Sequence, residues 1–343
     1  MIVYSPFRLD LVPAGISDMT WWPGEGQSVS VCCEFDIGMI SIEAQTRKEK
    51  NIVAEGFGKN NDVFVYSPYS GSEPEYMLLK ASIEVALGYL GSIGVPFDKG
   101  AHLKYCPNRA KGMGGSSIIA GCIIKLLSAL YGADIDRQKL ISLVVETERR
   151  AGIGGGWEDI AGVAEGGVNL LRGTPDSRCS IEHFDDSEAS SFLEDALCIW
   201  ETNIEASTAA ILSGARRLFE NNRSEVLKYS EELQKECGST LRALSERSGR
   251  LLGESFLRQR RLWGYITGGA SSCGPITSAL SDCDDLLWGY REAGAGGGGT
   301  LYVVPKENCK DRLCGELKKL GYIQKNWKIS DKGITVIGGN YGK

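Results

Sequence analysis

Histidine is nearly missing from this sequence: His102 and His183 are the only two among 343 residues. That scarcity argues against a histidine-built metal centre, and no nucleophile pairs with His102 by motif, so it is expected to be structural. The 11 cysteines include no C-x-x-C pair; Cys32 and Cys33 are adjacent, and Cys309 and Cys314 have no histidine near them. An odd number of thiols in a chain of this size is expected as reduced, buried residues rather than as a disulfide framework. A basic excess is also lacking. Lys and Arg number 38 against 44 Asp and Glu, for a net charge of -6, and phosphate backbones at scale require the opposite sign. No nucleic-acid partner is expected.

Long apolar runs are lacking too. The longest, residues 118–133, is interrupted by Lys125 and falls short of the ~20 residues that span a bilayer. Residues 1–7 show neither the basic nor the apolar region of a signal peptide. These absences lead to the expectation of a cytoplasmic protein with no membrane partner. Proline is sparse at 10 residues, and there is no G-X-Y period and no internal repeat, which excludes collagen-like, low-complexity and solenoid architectures.

Glycine, by contrast, is abundant at 44 residues, in a chain that is 42% hydrophobic and 24% charged. That balance is globular, and the length exceeds what one hydrophobic core usually fills, so two lobes are expected. Alternating patterns predict strands over 2–11, 28–33, 38–43, 63–66 and 102–105; helical spacing predicts helices over 76–90, 116–131 and 136–150. The polar stretch 174–191 reads as a hinge. Beyond it a strand is expected over 196–201, helices over 208–221, 223–237 and 253–265, a Gly-rich loop entering a strand at 300–304, a helix over 308–320, and two short strands. The fold class is α+β, with lobes 1–185 and 186–343.

The glycines concentrate in three clusters. The first, Lys111, Gly112, Met113, Gly114, Gly115, Ser116 and Ser117, precedes the apolar helix. A flexible turn feeding a helix N-terminus presents unpaired N–H groups and the positive dipole end to an anion such as phosphate. It equally describes an ordinary turn with Ser116 or Ser117 as N-cap. No G-K-[ST] follows, so it is not a Walker A loop. The second, residues 294–299, formally matches G-x-G-x-x-G, but it enters a strand instead of leaving one, which argues against a dinucleotide fingerprint. Six small residues there allow a backbone loop or a phosphate to approach closely. The third, Gly154, Gly155, Gly156, Trp157, Glu158 and Asp159, follows the acidic run containing Glu146 and Glu148. Carboxylates beside such a turn suit Mg²⁺ and general-base roles, or serve simply as helix-dipole partners.

Together the clusters resemble the signature motifs of the GHMP kinases, with the segment from Pro6 to Asp18 similar to the first motif, residues 112–117 to the second and residues 294–299 to the third. Gly-Gly-Gly-Trp-Glu-Asp at 154–159 is similar to the corresponding stretch of fucokinases and heptose-phosphate kinases, which phosphorylate the anomeric hydroxyl of a sugar. The resemblance implies a two-domain fold with nucleotide and sugar in a cleft between the lobes, ATP and Mg²⁺ as cofactors, and a small sugar as substrate. Carried over by position, it implies that Asp159 is the general base and Arg8 its cationic neighbour. It further implies that Lys111, Gly112, Met113, Gly114, Gly115, Ser116 and Ser117 bind ATP phosphates, and that Ser116 and Glu148 hold Mg²⁺. Asp18, Gly155, Gly156, Asp159, Gly296 and Gly297 are implied to contact the sugar.

Two departures stand out. Ala14 replaces a usual Gly, and Glu158 stands where Gln is usual, either adding negative charge beside the base or facing solvent. Trp157 is balanced between site and core. The basic run 258–261 reads as a solvated helix face or as a fork for a substrate's distal phosphate. A catalytically degenerate sugar or nucleotide binder, and a kinase for a non-sugar alcohol, are the competing functional classes.

Overall fold

Pro6 divides the first apolar run of the chain. Having no N–H to give to a ladder, it splits the strand expected over 2–11 into β1 (Ile2–Ser5) and β2 (Phe7–Val12), which join different sheets. The computed structural model describes residues 1–338 apart from 20, 23, 59–62, 68–73, 107–111 and 175. The first part of the chain continues through β3 (Gly26–Phe35), β4 (Ile40–Arg47), β5 (Ile52–Glu55), β6 (Val63–Tyr66), α1 (Met77–Ser92), β7 (Gly100–Cys106), α2 (Gly115–Leu130), α3 (Arg137–Arg150), α4 (Glu158–Ala161), β8 (Val168–Gly173) and β9 (Cys179–His183). The second comprises α5 (Ser187–Ala196), β10 (Cys198–Glu201), α6 (Thr208–Asn221), α7 (Arg223–Ser245), α8 (Gly249–Ile266), α9 (Gly274–Ser281), β11 (Leu287–Glu292), β12 (Thr300–Pro305), α10 (Lys310–Lys319), β13 (Ile323–Lys325), β14 (Trp327–Ile329) and β15 (Thr335–Ile337).

The fold is α+β, with three sheets. One has the order β15-β1-β4-β7-β5-β6, a second β11-β12-β10-β13, and a third β14-β3-β8-β9 with β2 also paired to β3. All six residues of β2 are buried, because the second part of the chain covers the strand from the other side. The hinge expected over 174–191 is instead β9 and the start of α5. Its polarity is that of an outer strand, whose outward residues face water. The last strands return to the first part: β15 pairs with β1 and β14 with β3. Residues 327–329 and 335–337 thus pair with strands of the first part although they follow the second in sequence.

Apolar burial sets the positions of the helices. Ile118, Ile123, Ile124, Leu126 and Leu127 of α2 are fully buried, each worth about 1.5–3 kcal/mol, and they anchor the helix while its N-terminus stays open. The segment after β2 is pinned differently. Ile16, Met19 and Trp22 pack with Phe219 of α6, Val226 and Leu233 of α7 and Trp263 of α8, which brings the loop carrying Asp18 against the second part.

Candidate active site

The N-terminus of α2 is the first element of the site. Gly114 is its N-cap, in the left-handed region at φ 74°, and no side chain caps the helix. Neither serine serves as N-cap, because both hydroxyls turn to α3: Ser116 Oγ and Ser117 Oγ donate to Glu148 Oε1 at 3.1 and 2.6 Å. The first-turn N–H groups and the dipole are left without a side-chain partner, as an anion site requires. A Cβ on Gly115 would meet nothing within 4 Å, so this turn faces open space. Met113 is buried, its Sδ 3.6 Å from the Tyr302 hydroxyl; within the loop it offers a ligand backbone atoms only. Lys111 lies outside the described residues.

The acidic elements converge on that turn. A Cβ on Gly114 would stand 3.0 Å from Asp159 Cγ, so the loop of residues 112–115 and the candidate base are in contact. Arg8 Nη2 donates to Asp159 Oδ1. The same guanidinium lies 3.2 Å from Asp10 Oδ1 and 3.7 Å from Glu158 Oε1. Burial alone would lower its pKa, but these three carboxylates raise it well above the ordinary arginine value, so Arg8 stays a cation. Asp159 is the most open of the group, with 27% side-chain exposure. It lines the cleft.

Asp18 Oδ1 accepts the Glu158 N–H at 2.6 Å and so orients the short α4 turn that carries Asp159. Burial, with Glu158 and Asp159 reinforcing, raises the Asp18 carboxyl well above its usual range. Gly156 makes the approach possible: a Cβ there would sit 1.3 Å from the Asp18 carbonyl oxygen. Gly155 crowds Glu148, whose Oε2 a Cβ would meet at 2.5 Å. Trp157 is 2% exposed and belongs to the core.

Glu148 is almost fully buried, its Oε1 held by the two serines and its Oε2 without a hydrogen-bond partner. Burial pushes its carboxyl up to about 7, with the serine hydrogen bonds opposing. An orphaned carboxylate oxygen beside a serine hydroxyl offers the oxygen donors a hard cation prefers, so these residues fit Mg²⁺. Among the described residues no cluster of three or more His, Cys, Asp or Glu could hold a metal. Nucleotide phosphates and waters would have to complete the shell, as they usually do for Mg²⁺.

Glu158 does not face solvent. Its Oε2 accepts the Ala14 N–H at 3.0 Å, and its Oε1 lies 2.7 Å from Ser28 Oγ, which is also 2.7 Å from the Val12 carbonyl oxygen. Ser28 has one proton to give; when it goes to Val12, Glu158 must itself donate, which a neutral carboxyl does. Burial pushes Glu158 up to about 7, with Arg8 opposing and Asp10 and Asp159 reinforcing. A native value above the ordinary one contributes stability that is complete at acid pH and lost as pH rises through about 7. Glu158→Gln preserves the neutral arrangement, accepting from Ala14 and donating to Ser28. Its thermal stability relative to the parent is expected to climb between about pH 5 and about pH 8. A difference that stays flat over that range would show that Glu158 keeps an ordinary titration.

The third glycine cluster is divided between two tasks. Gly294 and Ala295 line the cleft with Arg8, Asp18, Ser116, Glu148 and Asp159, around a cavity of about 120 Å³. Gly294 takes φ 60° and lies against the loop at Gly112, where a Cβ would be 3.2 Å from the Gly112 carbonyl oxygen. Gly296 and Gly297, expected at the sugar, are placed elsewhere. Gly296 abuts the Ser271 carbonyl, and Gly297 donates to it at 2.6 Å and meets Ala206 and Ile211. They hold loops together behind the cleft.

The basic run is likewise absorbed. Arg258 pairs with Glu236 at 2.9 Å and Arg260 with Glu292 at 3.0 Å. Arg261 lines a larger cavity of about 580 Å³ between α6, α7 and α8. That cavity is larger than the cleft but holds none of the carboxylates or serines described above. None of these arginines is among the residues lining the cleft.

Sequence reasoning passed over Asp10, Leu212 and Trp263, all of which line the cleft. Asp10 had a signal, since it lies two residues from Arg8 in a strand and shares its face. Leu212 and Trp263 had none, because their place depends on how α6 and α8 pack. His102 and His183 lie on β7 and β9; His102 Nε2 is 3.0 Å from Glu55, and His183 Nδ1 is 3.1 Å from Asn169. The cysteines are all free, and most are buried. Among the described residues no helix is long and apolar enough to cross a membrane.

Residues 81–167 match the family described as GHMP kinases N terminal domain. The chain is 27% identical over 208 residues to the L-fucokinase/L-fucose-1-P guanylyltransferase of Bacteroides fragilis, covering 57% of this chain and 21% of that protein. It thus spans about a fifth of the length of that relative. Among solved structures, a D-glycero-D-manno-heptose 1-phosphate kinase from Bacteriodes thetaiotaomicron superposes with a TM-score of 0.73 at 14% identity, over 98% of this chain and 99% of that one. The Streptococcus pneumoniae phosphomevalonate kinase in complex with phosphomevalonate and AMPPNP superposes with a TM-score of 0.71 at 15% identity, over 96% and 100%. At such identities the structures establish the fold.

Proposed function

We propose, from the premise that this chain belongs to the GHMP kinases, that it transfers the γ-phosphoryl group of ATP to the anomeric hydroxyl of a sugar, giving a sugar 1-phosphate. The observation that carries this reading is the contact between Asp159, held by Arg8, and the uncapped N-terminus of α2. A base for a hydroxyl and a cradle for phosphate meet there, and phosphoryl transfer requires their adjacency.

In this reading Arg8 engages Asp159 Oδ1, and the remaining oxygen, Oδ2, accepts the proton of the sugar hydroxyl as it attacks. The backbone N–H groups of Gly115 and Ser116 face the transferring phosphoryl group, and the dipole of α2 stabilises its charge. Mg²⁺, when bound with the nucleotide by Glu148 and Ser116, supplies further positive charge at the phosphate oxygens. Asp18 and Asp159 offer acceptors to ring hydroxyls, while Met19, Leu212 and Trp263 supply an apolar wall. A wall of that kind, with Arg8 already committed to carboxylates, favours a neutral sugar of the fucose or heptose type over a phosphorylated one. A reducing, cytoplasmic setting suits the free thiols.

The test is ADP release against a panel of hexoses, deoxyhexoses, heptoses and their phosphates, with loss of the reducing end marking anomeric transfer. Release with a neutral member is expected. Binding of sugar or nucleotide without turnover on any member would instead favour a degenerate binding protein. Glu148→Gln is expected to raise the Mg²⁺ needed for half-maximal activity at least about tenfold. An unchanged Mg²⁺ requirement would remove Glu148 from the metal site.

A further inference from the structure

Asp10 is fully buried, yet its carboxylate gathers groups from four elements. Oδ2 accepts from Arg291 Nη2 at 2.6 Å and from the Gly294 N–H at 3.1 Å. Oδ1 accepts from the Tyr302 hydroxyl at 3.0 Å and lies 3.2 Å from Arg8 Nη1. The Asp10 carbonyl oxygen takes a second bond from Arg291, at 2.8 Å. Arg291 and Tyr302 face each other across β11 and β12, with the guanidinium 5.5 Å from the ring centre. The sheet of the second part of the chain is thereby fastened to β2 at one carboxylate.

Three of the groups so gathered lead to the chemistry. Arg8 holds Asp159. Gly294 backs the phosphate loop at Gly112, and the Tyr302 hydroxyl reaches Met113 in the same loop. A carboxylate could have been replaced by packing alone if its purpose were stability, since buried ion pairs are often no better than apolar neighbours. Here both the arm that aligns the base and the turn that backs the phosphate loop end on it.

We propose that Asp10 is a positioning residue for phosphoryl transfer: it fixes Arg8 against Asp159 while securing the Gly294 turn behind the phosphate loop, so that base and phosphate keep one mutual geometry. The proposal rests on the kinase reading above. Asp10 touches neither the reacting hydroxyl nor the phosphoryl group in this scheme, and acts through Arg8 and the Gly294 turn.

The test is a double-mutant cycle of Asp10→Asn with Asp159→Asn, using the full chain, ATP and the sugar found active in the panel. In the parent background Asp10→Asn is expected to lower kcat about 100-fold, the scale of a small misplacement of reacting groups, with KM for ATP nearly unchanged. In the Asp159→Asn background, where no base remains to be aligned, the further loss is expected to shrink below about threefold. Losses that multiply, or a KM effect without a kcat effect, overturn the proposal. Should Asp10→Asn fail to fold by circular dichroism, Tyr302→Phe removes one donor to the same carboxylate and keeps the ring; the same cycle then applies with the same two outcomes. A parent protein inactive on every panel member sinks the kinase reading itself, whereas an active parent with multiplicative losses sinks only the role of Asp10.

Discussion

Asp159→Asn is expected to lower kcat by about 10²–10⁴-fold, the usual contribution of a general base, with little loss of stability. The second half of that expectation comes from position. Asp159 is the most exposed of the three carboxylates around Arg8, at 27% against 0% for Asp10 and 6% for Glu158, and Asn retains an oxygen to accept the Arg8 hydrogen bond. The loss therefore falls on proton acceptance and not on folding. Turnover of the purified variant, alongside its thermal melt, separates the two. Near-parental turnover in a folded variant would mean that the hydroxyl loses its proton elsewhere. Loss of melting temperature in step with turnover would mean that Asp159 is structural.

Arg8→Met is expected to have the opposite balance, with a large loss of stability added to the loss of activity. The guanidinium is 4% exposed and stands among Asp10, Asp159 and Glu158. Removing one partner from a buried ion cluster costs about 3–5 kcal/mol, because Asp159 loses its cation and the fully buried Asp10 is left with Arg291 alone. Met preserves the unbranched stem, so the loss reports charge more than volume. Denaturant unfolding with a two-state fit gives the quantity directly. A loss below about 1 kcal/mol, the range of an exposed pair, would show that Arg291 alone compensates the cluster. Arg8→Lys is expected to fall between, since a point charge cannot serve several carboxylates as a fork does.

Much of the site could be read along the chain because its parts are local. Gly112 to Ser117 followed by an apolar run foretells a helix start, left open because both serines turn to Glu148, and Gly154 to Asp159 foretells a tight acidic turn. Arg8 and Asp159 are distant in sequence, and their pairing came through resemblance to a motif. What escaped depends on packing. Gly294 and Gly296 are two residues apart in one featureless glycine run, yet Gly294 faces the cleft and Gly296 faces Ser271; composition cannot separate them. Glu158 carries a charged residue's letter but occupies a neutral residue's place, a distinction made by Ser28 and Ala14 from another strand and loop. Residues 174–191 are polar because β9 lies outermost in its sheet, and outer strands and hinges share a composition. Helix α9, not among the helices expected, opens with Gly274 and Pro275, and Pro suits the first turn of a helix.

The return of β14 and β15 to the first part of the chain also bears on synthesis. Ribosomes release the polypeptide from its N-terminus, and domains ordinarily begin to fold as they emerge. Here β1 and β3 each wait for a partner that lies near residue 330. Until then β1 presents an unpaired edge on one side, the kind of template that recruits other strands. The nascent chain must hold both sheets incomplete while the whole second part passes through the exit tunnel. Once the last strands dock, the first and last segments of the described chain are laced into the same sheet, Ile2 opposite Ile337.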